Sequence, residues 1–528
     1  MRVTTRTIAA SNPAMTALAN EGKMTPNSRT ATRVNGSDAL KHTTPTRPSN
    51  SPRASCRALI TLLLMVTIQD NSVEAYLRQF VEQGSAGAKI PSVRVLQQRF
   101  RVSPTTVQRV VRSLVMEGRV VTRPGDGTYI ARPGATSLVK GDHSWQTVVL
   151  GRSPKVVAGL EHLTTSRTAS VLGMDNAFPD PVLQAHELLA KAAVRCARRP
   201  ESWDRCSPQG LVALREIFAA ELGAPFRASD VLITPGAQAA LDSIFRVLAR
   251  PGDAVVLEDP GYPGAVVAAT LSGLVPTPVP TDQHGVLPDA LAEVLGRSEA
   301  RLVVLQPRHS NPTGSVLAAE RRATVIAIAE EFGCFIVEDD WVRDLDLDGP
   351  TGPPLIVDDV DGHVISVRSL SKAAAPGLRV AAITARGPAL ARLVSARLAA
   401  DFFVAPLLQS TAAELLQGTG WQRHLMSMRA ALVERRDVLH DALAVHAPML
   451  TSTRPRGGVA SWFQLPAGVD ERALALACSE RGVRVGIGST YQLTESPVGH
   501  LRLAYAKDDP ASLVVAAERI AAAFRSIR

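Results

Sequence analysis

Lys372 stands at the end of Ser369-Leu370-Ser371-Lys372, and Pro376-Gly377-Leu378-Arg379 follows closely. A lysine forms an imine with an aldehyde only if its amine is neutral part of the time, and nearby positive charge helps by lowering its pKa. A phosphate needs hydroxyl and guanidinium donors, and Ser369, Ser371 and Arg379 supply both kinds. These residue types at this spacing point to covalent capture of an aldehyde that carries a phosphate.

Other segments supply the rest of such a site. Thr234-Pro235-Gly236-Ala237-Gln238 falls between an expected strand and an expected helix, where backbone N–H groups at a helix N-terminus cradle phosphate, with Ala237 and Gln238 as donors. Glu258-Asp259-Pro260-Gly261-Tyr262, Asn311-Pro312-Thr313-Gly314, Glu338-Asp339-Asp340 and His500-Leu501-Arg502-Leu503 follow in that order. Each is ordinary alone; Asn-Pro-Thr-Gly, for instance, makes a good β-turn.

Together, from about 170 to 528, they resemble the fold-type I enzymes of aminotransferase class I/II that use pyridoxal 5'-phosphate (PLP). Ser207-Pro208-Gln209-Gly210 and Leu214-Arg215 fit the start of that domain. The resemblance implies PLP as cofactor, bound to Lys372, with its phosphate held by Ala237, Gln238, Ser369, Ser371 and Arg379. It implies Tyr262 stacked on the pyridine ring, Asn311 on the ring hydroxyl and Asp339 on the ring nitrogen, keeping that nitrogen protonated so that the ring is an electron sink. Arg502 would grip the α-carboxylate of a substrate or effector. Two positions depart from the pattern. Trp341 replaces the tyrosine that usually bonds the ring oxygen, and Arg205 lies where a tyrosine commonly reaches the partner subunit's cofactor.

The elements that must position these residues are legible as apolar runs. Stretches 231–233, 254–257, 301–305, 334–337, 363–367 and 380–384 are of buried-strand type, mostly separated by helical stretches, which predicts a largely parallel α/β sheet. After about 390 the chain turns helical and then mixed, with strands expected at 458–464, 484–486 and 500–504, as in a smaller α+β domain.

Upstream, Asn71 is the expected cap of a first helix carrying Val73, Tyr76, Leu77 and Phe80, and Pro91-Ser92 opens a second with Val93, Leu96 and Phe100. Ser103 caps a third, with Pro104 at its first position and Val107, Val110, Val111 and Leu114 as the apolar stripe, ended by Gly118. Two short strands flank the turn Pro124-Gly125-Asp126-Gly127. Three helices and a hairpin make a winged helix-turn-helix. Residues 67–133 resemble the GntR family, through Lys89-Ile90-Pro91-Ser92-Val93-Arg94, Val102-Ser103-Pro104-Thr105-Thr106-Val107, Glu117-Gly118 and Arg123-Pro124-Gly125-Asp126-Gly127-Thr128-Tyr129-Ile130. The third helix turns Thr105, Thr106, Gln108, Arg109 and Arg112 away from its apolar stripe, toward base edges and phosphates of double-stranded DNA. Ser103 at its start, Arg94 on the helix before it, and Arg123 with Gly127 in the wing complete the expected DNA contacts. Pro104 stands where the family often has arginine, which bears on the operator sequence.

Composition bounds the rest. A chain of 528 residues exceeds one ordinary core, and its net charge of +9 is partly concentrated in 66–133, where ten Lys/Arg face five Asp/Glu. Five scattered cysteines, without metal-ligand spacing, suit a reducing cytoplasm and argue against a disulfide framework or a metal site. The early apolar run 58–66 is too short to span a membrane. Residues 1–66 are expected to be disordered, with Met65 as an alternative start, and 134–168 to be a linker between the winged helix and the PLP-binding domain at 169–528.

A GntR head, a linker and an aminotransferase-like domain in this order resemble the MocR subfamily of bacterial transcription regulators. The resemblance implies a homodimer that binds DNA and responds to PLP or a small amino compound. A working aminotransferase, transferring an amino group between an amino acid and a 2-keto acid, stays open, as does a binding protein that has lost PLP.

Overall fold

The computed structural model describes residues 73–123, 126–131, 145–146, 149 and 171–527. Residues 1–66, the Asn71 cap, Pro124-Gly125 of the wing turn and nearly all of the expected linker at 134–168 lie outside them. The chain divides into two compact units, Met1–His143 and Ser144–Arg528.

In the first unit a helix over 73–83 is followed by helices Val93–Phe100 and Pro104–Met116. The cap expected at Ser103 is in place, and Ser92 caps the helix before it. Ser92 Oγ accepts from the Val95 amide and Ser103 Oγ from the Thr106 amide, at 3.4 and 3.1 Å. Strands Val120–Arg123 and Gly127–Ile130 pair antiparallel to form the wing. One small core, with Val73, Leu77, Leu96, Val107, Val110, Leu114, Val120 and Ile130 buried, holds helices and wing together.

The second unit is built on an eight-stranded sheet. Its order is Val231–Thr234, Ala381–Thr384, Val364–Ser369, Phe335–Asp340, Leu302–Leu305, Ala254–Asp259, Val275–Asp282 and Gly285–Val286. The six strands from Val231–Thr234 to Ala254–Asp259 are largely buried, as strands with apolar residues on both faces require, and an apolar cluster covers each face. Ala381–Thr384 runs antiparallel to both neighbours, so the other central strands all point the same way. Their carboxyl ends share one edge of the sheet with the start of that reversed strand. Val275–Asp282 was not foreseen as a strand because Pro276, Pro278 and Pro280 interrupt it. The prolines occupy alternate positions, and the Pro280 carbonyl accepts from Leu287 rather than from the neighbouring strand. The missing N–H groups therefore fall on the outer side, where a ladder does not need them.

The smaller part of this unit packs the helices Gly420–His446, Glu471–Glu480 and Pro510–Ser526 on a three-stranded sheet of Ala460–Gln464, His500–Ala504 and Gly486–Ile487. The segment after residue 170 joins this part: strand Leu172–Gly173 pairs with Val483–Arg484, and the Met174 carbonyl accepts from Ala504.

Candidate functional site

The shared sheet edge gathers the predicted residues around one cavity of about 660 Å³. Ala237, Gln238, Tyr262, Asn311, Asp339, Ser369, Ser371, Lys372, Arg379 and Arg502 all line it. Each follows from strand direction: Ala237 opens the helix after Val231–Thr234, Tyr262 follows Ala254–Asp259, and Asn311 follows Leu302–Leu305. Lys372 follows Val364–Ser369, and Arg379 precedes the reversed strand that starts at the same edge.

At the phosphate end, helix Ala237–Leu248 begins at Gly236, whose φ is 101°. The first N–H groups of a helix have no acceptor within it, so they face the cavity as anion donors. Arg379 lies across this turn, donating to the Pro235 carbonyl at 2.8 Å. A Cβ on Gly236 would stand 2.4 Å from the Arg379 guanidinium, so only glycine allows the approach. Ser369 and Ser371 are buried beside it, and Ser369 Oγ accepts from the Ser371 amide at 3.2 Å.

At the ring end, Asp339 lies within strand Phe335–Asp340 and is 2% exposed. Alternation turns Asp339 to one face of the sheet and its neighbours Glu338 and Asp340 to the other. Burial pushes the Asp339 carboxyl up to about 6, against the pull of a hydrogen bond from Gln306. Gln306 was not singled out in the sequence. Its Nε2 donates to Asp339 Oδ2 at 2.7 Å, its Oε1 accepts from the Asn311 amide at 2.8 Å, and its own amide donates to Glu258 at 3.1 Å. One side chain thus ties the two predicted ring contacts together. The available signal was a polar residue directly after a buried apolar strand and five positions before Asn311.

Tyr262 donates its hydroxyl to Gln238 Oε1 at 3.0 Å, and Gln238 Nε2 donates to the Gly264 carbonyl. The Gln238 side chain is therefore engaged, so the donor expected toward a phosphate is its backbone N–H. Trp341 lines the cavity with its ring while its indole N–H donates to the His309 carbonyl at 3.1 Å. The hydrogen bond that a tyrosine would make there has gone to the backbone. Arg205 is exposed and does not line the cavity. Phe178 and Tyr491, also missed in the sequence, do line it. Lys372 Nζ sits 3.7 Å from the centre of the Phe178 ring and 5.7 Å from that of Trp341. Burial and then the neighbouring Arg502 guanidinium push the lysine amine down to about 7, with Arg379 adding to this and Asp339 opposing it.

The residues fit PLP by a direct structural test. Asp339 Oδ1, Asn311 Oδ1, Arg502 Nε and Arg502 Nη2 are buried without a hydrogen-bond partner, and all four residues line the cavity. Such groups cost free energy unless a ligand satisfies them. An acceptor at Asp339 suits a ring N–H, and one at Asn311 suits a hydroxyl. The unpartnered N–H groups of Arg502, itself 2% exposed, suit a carboxylate.

In the first unit, Arg94, Thr105, Arg109, Arg112 and Arg123 are exposed. The hydroxyls of Ser103 and Thr106 bond each other at 3.0 Å, so the cap geometry holds both. In the wing, Arg123 lies 4.7 Å and Lys89 5.5 Å from the Tyr129 ring centre. Gly127, with φ of 132°, leaves room for Lys89, whose Cε would stand 2.5 Å from a Cβ there. No cluster of metal-ligating side chains and no helix long and apolar enough to cross a membrane occurs among the described residues.

Fold and cavity together define an aminotransferase-like protein whose cofactor is PLP. Comparison with known proteins gives the same class. The family Aminotransferase class I and II matches residues 177–520, and Bacterial regulatory proteins, gntR family, matches 69–130. The chain is 28% identical to the HTH-type transcriptional regulator TauR of Rhodobacter capsulatus, over 86% of its own length and 97% of TauR. It is 33% identical to 2-aminoadipate transaminase of Thermus thermophilus, over 70% of its length and 93% of that enzyme. Among solved structures, the α-aminoadipate aminotransferase LysN of Thermus thermophilus superimposes with a TM-score of 0.64 at 31% identity, covering 70% of this chain and 97% of LysN. The chain belongs to the aminotransferase class I and II family and, with its GntR region ahead of that domain, is a regulator of the MocR type.

Proposed function

We propose that the chain binds double-stranded DNA as a homodimer through its GntR heads, and that its PLP-binding unit senses a small amino compound, or PLP itself, in the cytoplasm. The observation that carries this reading is the joint presence of exposed arginines on a capped third helix and a cavity in which Arg502 keeps two buried, unpartnered N–H groups. Bound PLP supplies an aldehyde and an electron-accepting ring. The chain's own residues do the rest. Lys372 is the amine that attaches the cofactor, the N-terminus of helix Ala237–Leu248 with Arg379, Ser369 and Ser371 seats the phosphate, and Asp339 holds the proton on the ring nitrogen. Arg502 orients the carboxylate of an incoming amino compound.

The homodimer rests on the resemblance to fold-type I enzymes, whose sites form at subunit interfaces. A ligand changes DNA binding only by as much as it prefers one arrangement of the protein over another. On the DNA side, Arg94, Ser103, Thr105, Thr106, Arg109, Arg112, Arg123 and Gly127 are the contacts proposed, with Ser103 and Thr106 acting through the cap they form.

A second reading, a working aminotransferase, is favoured by the convergence of Lys372, Asp339, Asn311 and Arg502, with Lys372 then shuttling the Cα proton. The deciding experiment is a gel-shift on the DNA upstream of the chain's own gene, with and without PLP and candidate amines, beside a turnover assay with amino donors and keto acceptors. Ligand-dependent binding without turnover supports the regulator. Steady turnover with DNA binding indifferent to every ligand overturns it.

A further inference from the structure

The placement of Lys372 over an aromatic ring gives the chain a second state for its lysine. Lys372 belongs to the edge of the large sheet, whereas Phe178 belongs to a segment bonded to the smaller part of the unit. In that segment Met174 accepts from Ala504, the Phe178 amide donates to Asn176 Oδ1 at 2.9 Å, and the Asp180 amide donates to the Ala506 carbonyl at 2.9 Å. The Trp341 ring, fixed by its N–H bond to His309, forms a second wall beside the lysine. At 3.7 Å from the ring centre, Nζ is well within the range over which a cation is attracted to the face of an aromatic ring, and lysine and ring are both half-buried, where that attraction exceeds its value on an open surface.

We propose that Phe178, with Trp341 beside it, is a resting place for the Lys372 ammonium after an incoming amine has displaced it from the cofactor. This deepens the sensor function proposed above and rests on it. In the exchange, the incoming ammonium loses its protons and makes the carbon–nitrogen double bond that Lys372 gives up. The lysine nitrogen takes up the same number of protons, and because the ligand carboxylate pairs with Arg502, the neighbouring charge that most lowers the lysine pKa, the released Lys372 keeps the positive charge that the ligand gives up. A neutral nitrogen, free or held in the imine, gains little from Phe178, whereas the released ammonium gains a full cation–π contact. The ring therefore favours the ligand-bound state. The same event loads two points joined by backbone hydrogen bonds: Arg502, on strand His500–Ala504, takes the ligand carboxylate, and Phe178, on the segment whose Met174 accepts from Ala504, takes the lysine. Ligand arrival at the large sheet is thereby transmitted to the smaller part of the unit.

The test uses the full-length, cofactor-loaded protein and glycine, which offers an amine and a carboxylate with no side chain to discriminate. The concentration giving half-displacement is read from the cofactor's visible absorbance in wild type, F178L and F178W. F178L is expected to need about tenfold more glycine, the size of a desolvated cation–π contact, and F178W to recover most of the loss. A purely space-filling ring predicts no difference between leucine and tryptophan beyond fit, so a F178L curve superimposed on wild type overturns the proposal. If F178L does not fold, F178Y and F178M make the same comparison of ring kept against ring lost. A wild-type band that borohydride removes but glycine never shifts refutes the amine-sensing function and this inference together. A wild-type shift with no F178L effect refutes the inference alone.

Discussion

Replacing Arg502 with leucine separates what the site does from what merely fills it. Arg502 is 2% exposed and its guanidinium lies 5.6 Å from the Tyr491 ring centre, while Nε and Nη2 have no hydrogen-bond acceptor, so two buried donors stand open to a ligand. A carboxylate arriving there makes up to two charge-assisted hydrogen bonds, each worth roughly 1.5–3 kcal/mol. Part of this is offset by desolvating the carboxylate, which leaves about 3 kcal/mol, or about a hundredfold in affinity at roughly 1.4 kcal/mol per decade. R502L should therefore bind glycine about a hundredfold more weakly than wild type and bind methylamine almost unchanged. Its thermal midpoint without ligand should stay level or rise, because a buried guanidinium with two unpartnered N–H groups has been replaced by a leucine beside the Tyr491 ring. Paired spectral titrations with the two amines, and a melting curve, measure all three effects. If R502L keeps the wild-type preference for glycine over methylamine, Arg502 does not hold the carboxylate.

Four further outcomes are expected. Lys372→Ala should abolish borohydride-stable attachment of cofactor, checked by intact mass, while the DNA heads still bind a duplex; in wild type the capture rate of PLP by cofactor-free protein should rise with pH and level off above about 7, because only the neutral amine attacks and its pKa is depressed to that value. Gln306→Leu removes the single donor on Asp339 and should weaken PLP binding about tenfold and favour the unprotonated ring nitrogen, seen as an altered pH titration of the cofactor band. Gly236→Ala pushes a Cβ into Arg379 at a φ that favours glycine, and should cost cofactor affinity without affecting DNA binding measured at saturating PLP. Arg109→Ala and Arg112→Ala should each weaken DNA binding and lower the slope of log affinity against log salt by about one; unchanged slopes for both would remove the third helix as a phosphate contact.

Much of this was legible in the chain because the signals are local. Ser103-Pro104 before an apolar stripe specifies a helix start by capping and ring geometry alone, and the serine does accept the Thr106 amide. The runs at 231–233, 301–305 and 363–367 specify buried strands by hydrophobicity, and the strands form at 231–234, 302–305 and 364–369, while Gly236 marks the turn that lets Arg379 approach. The residues that line the cavity could be named from motifs because most of those motifs sit where a strand of the large sheet ends.

Other features were decided only in three dimensions. The reversed strand Ala381–Thr384 brings Arg379 to the edge where the other strands finish, and strand direction is a property of pairing that no short segment carries. The tie between Gln306, Asp339 and Asn311 joins residues on separate strands and loops, so no spacing announces it. The strand through Pro276, Pro278 and Pro280 exists because its proline side faces outward, which depends on its neighbours rather than its propensity. The contact of Lys372 with Phe178 spans about half of the unit in sequence and forms because the segment after residue 170 pairs with strands near the C-terminus. Residue types fixed which chemistry was available; long-range pairing, whose energy depends on surfaces far apart in the chain, decided which groups meet to perform it.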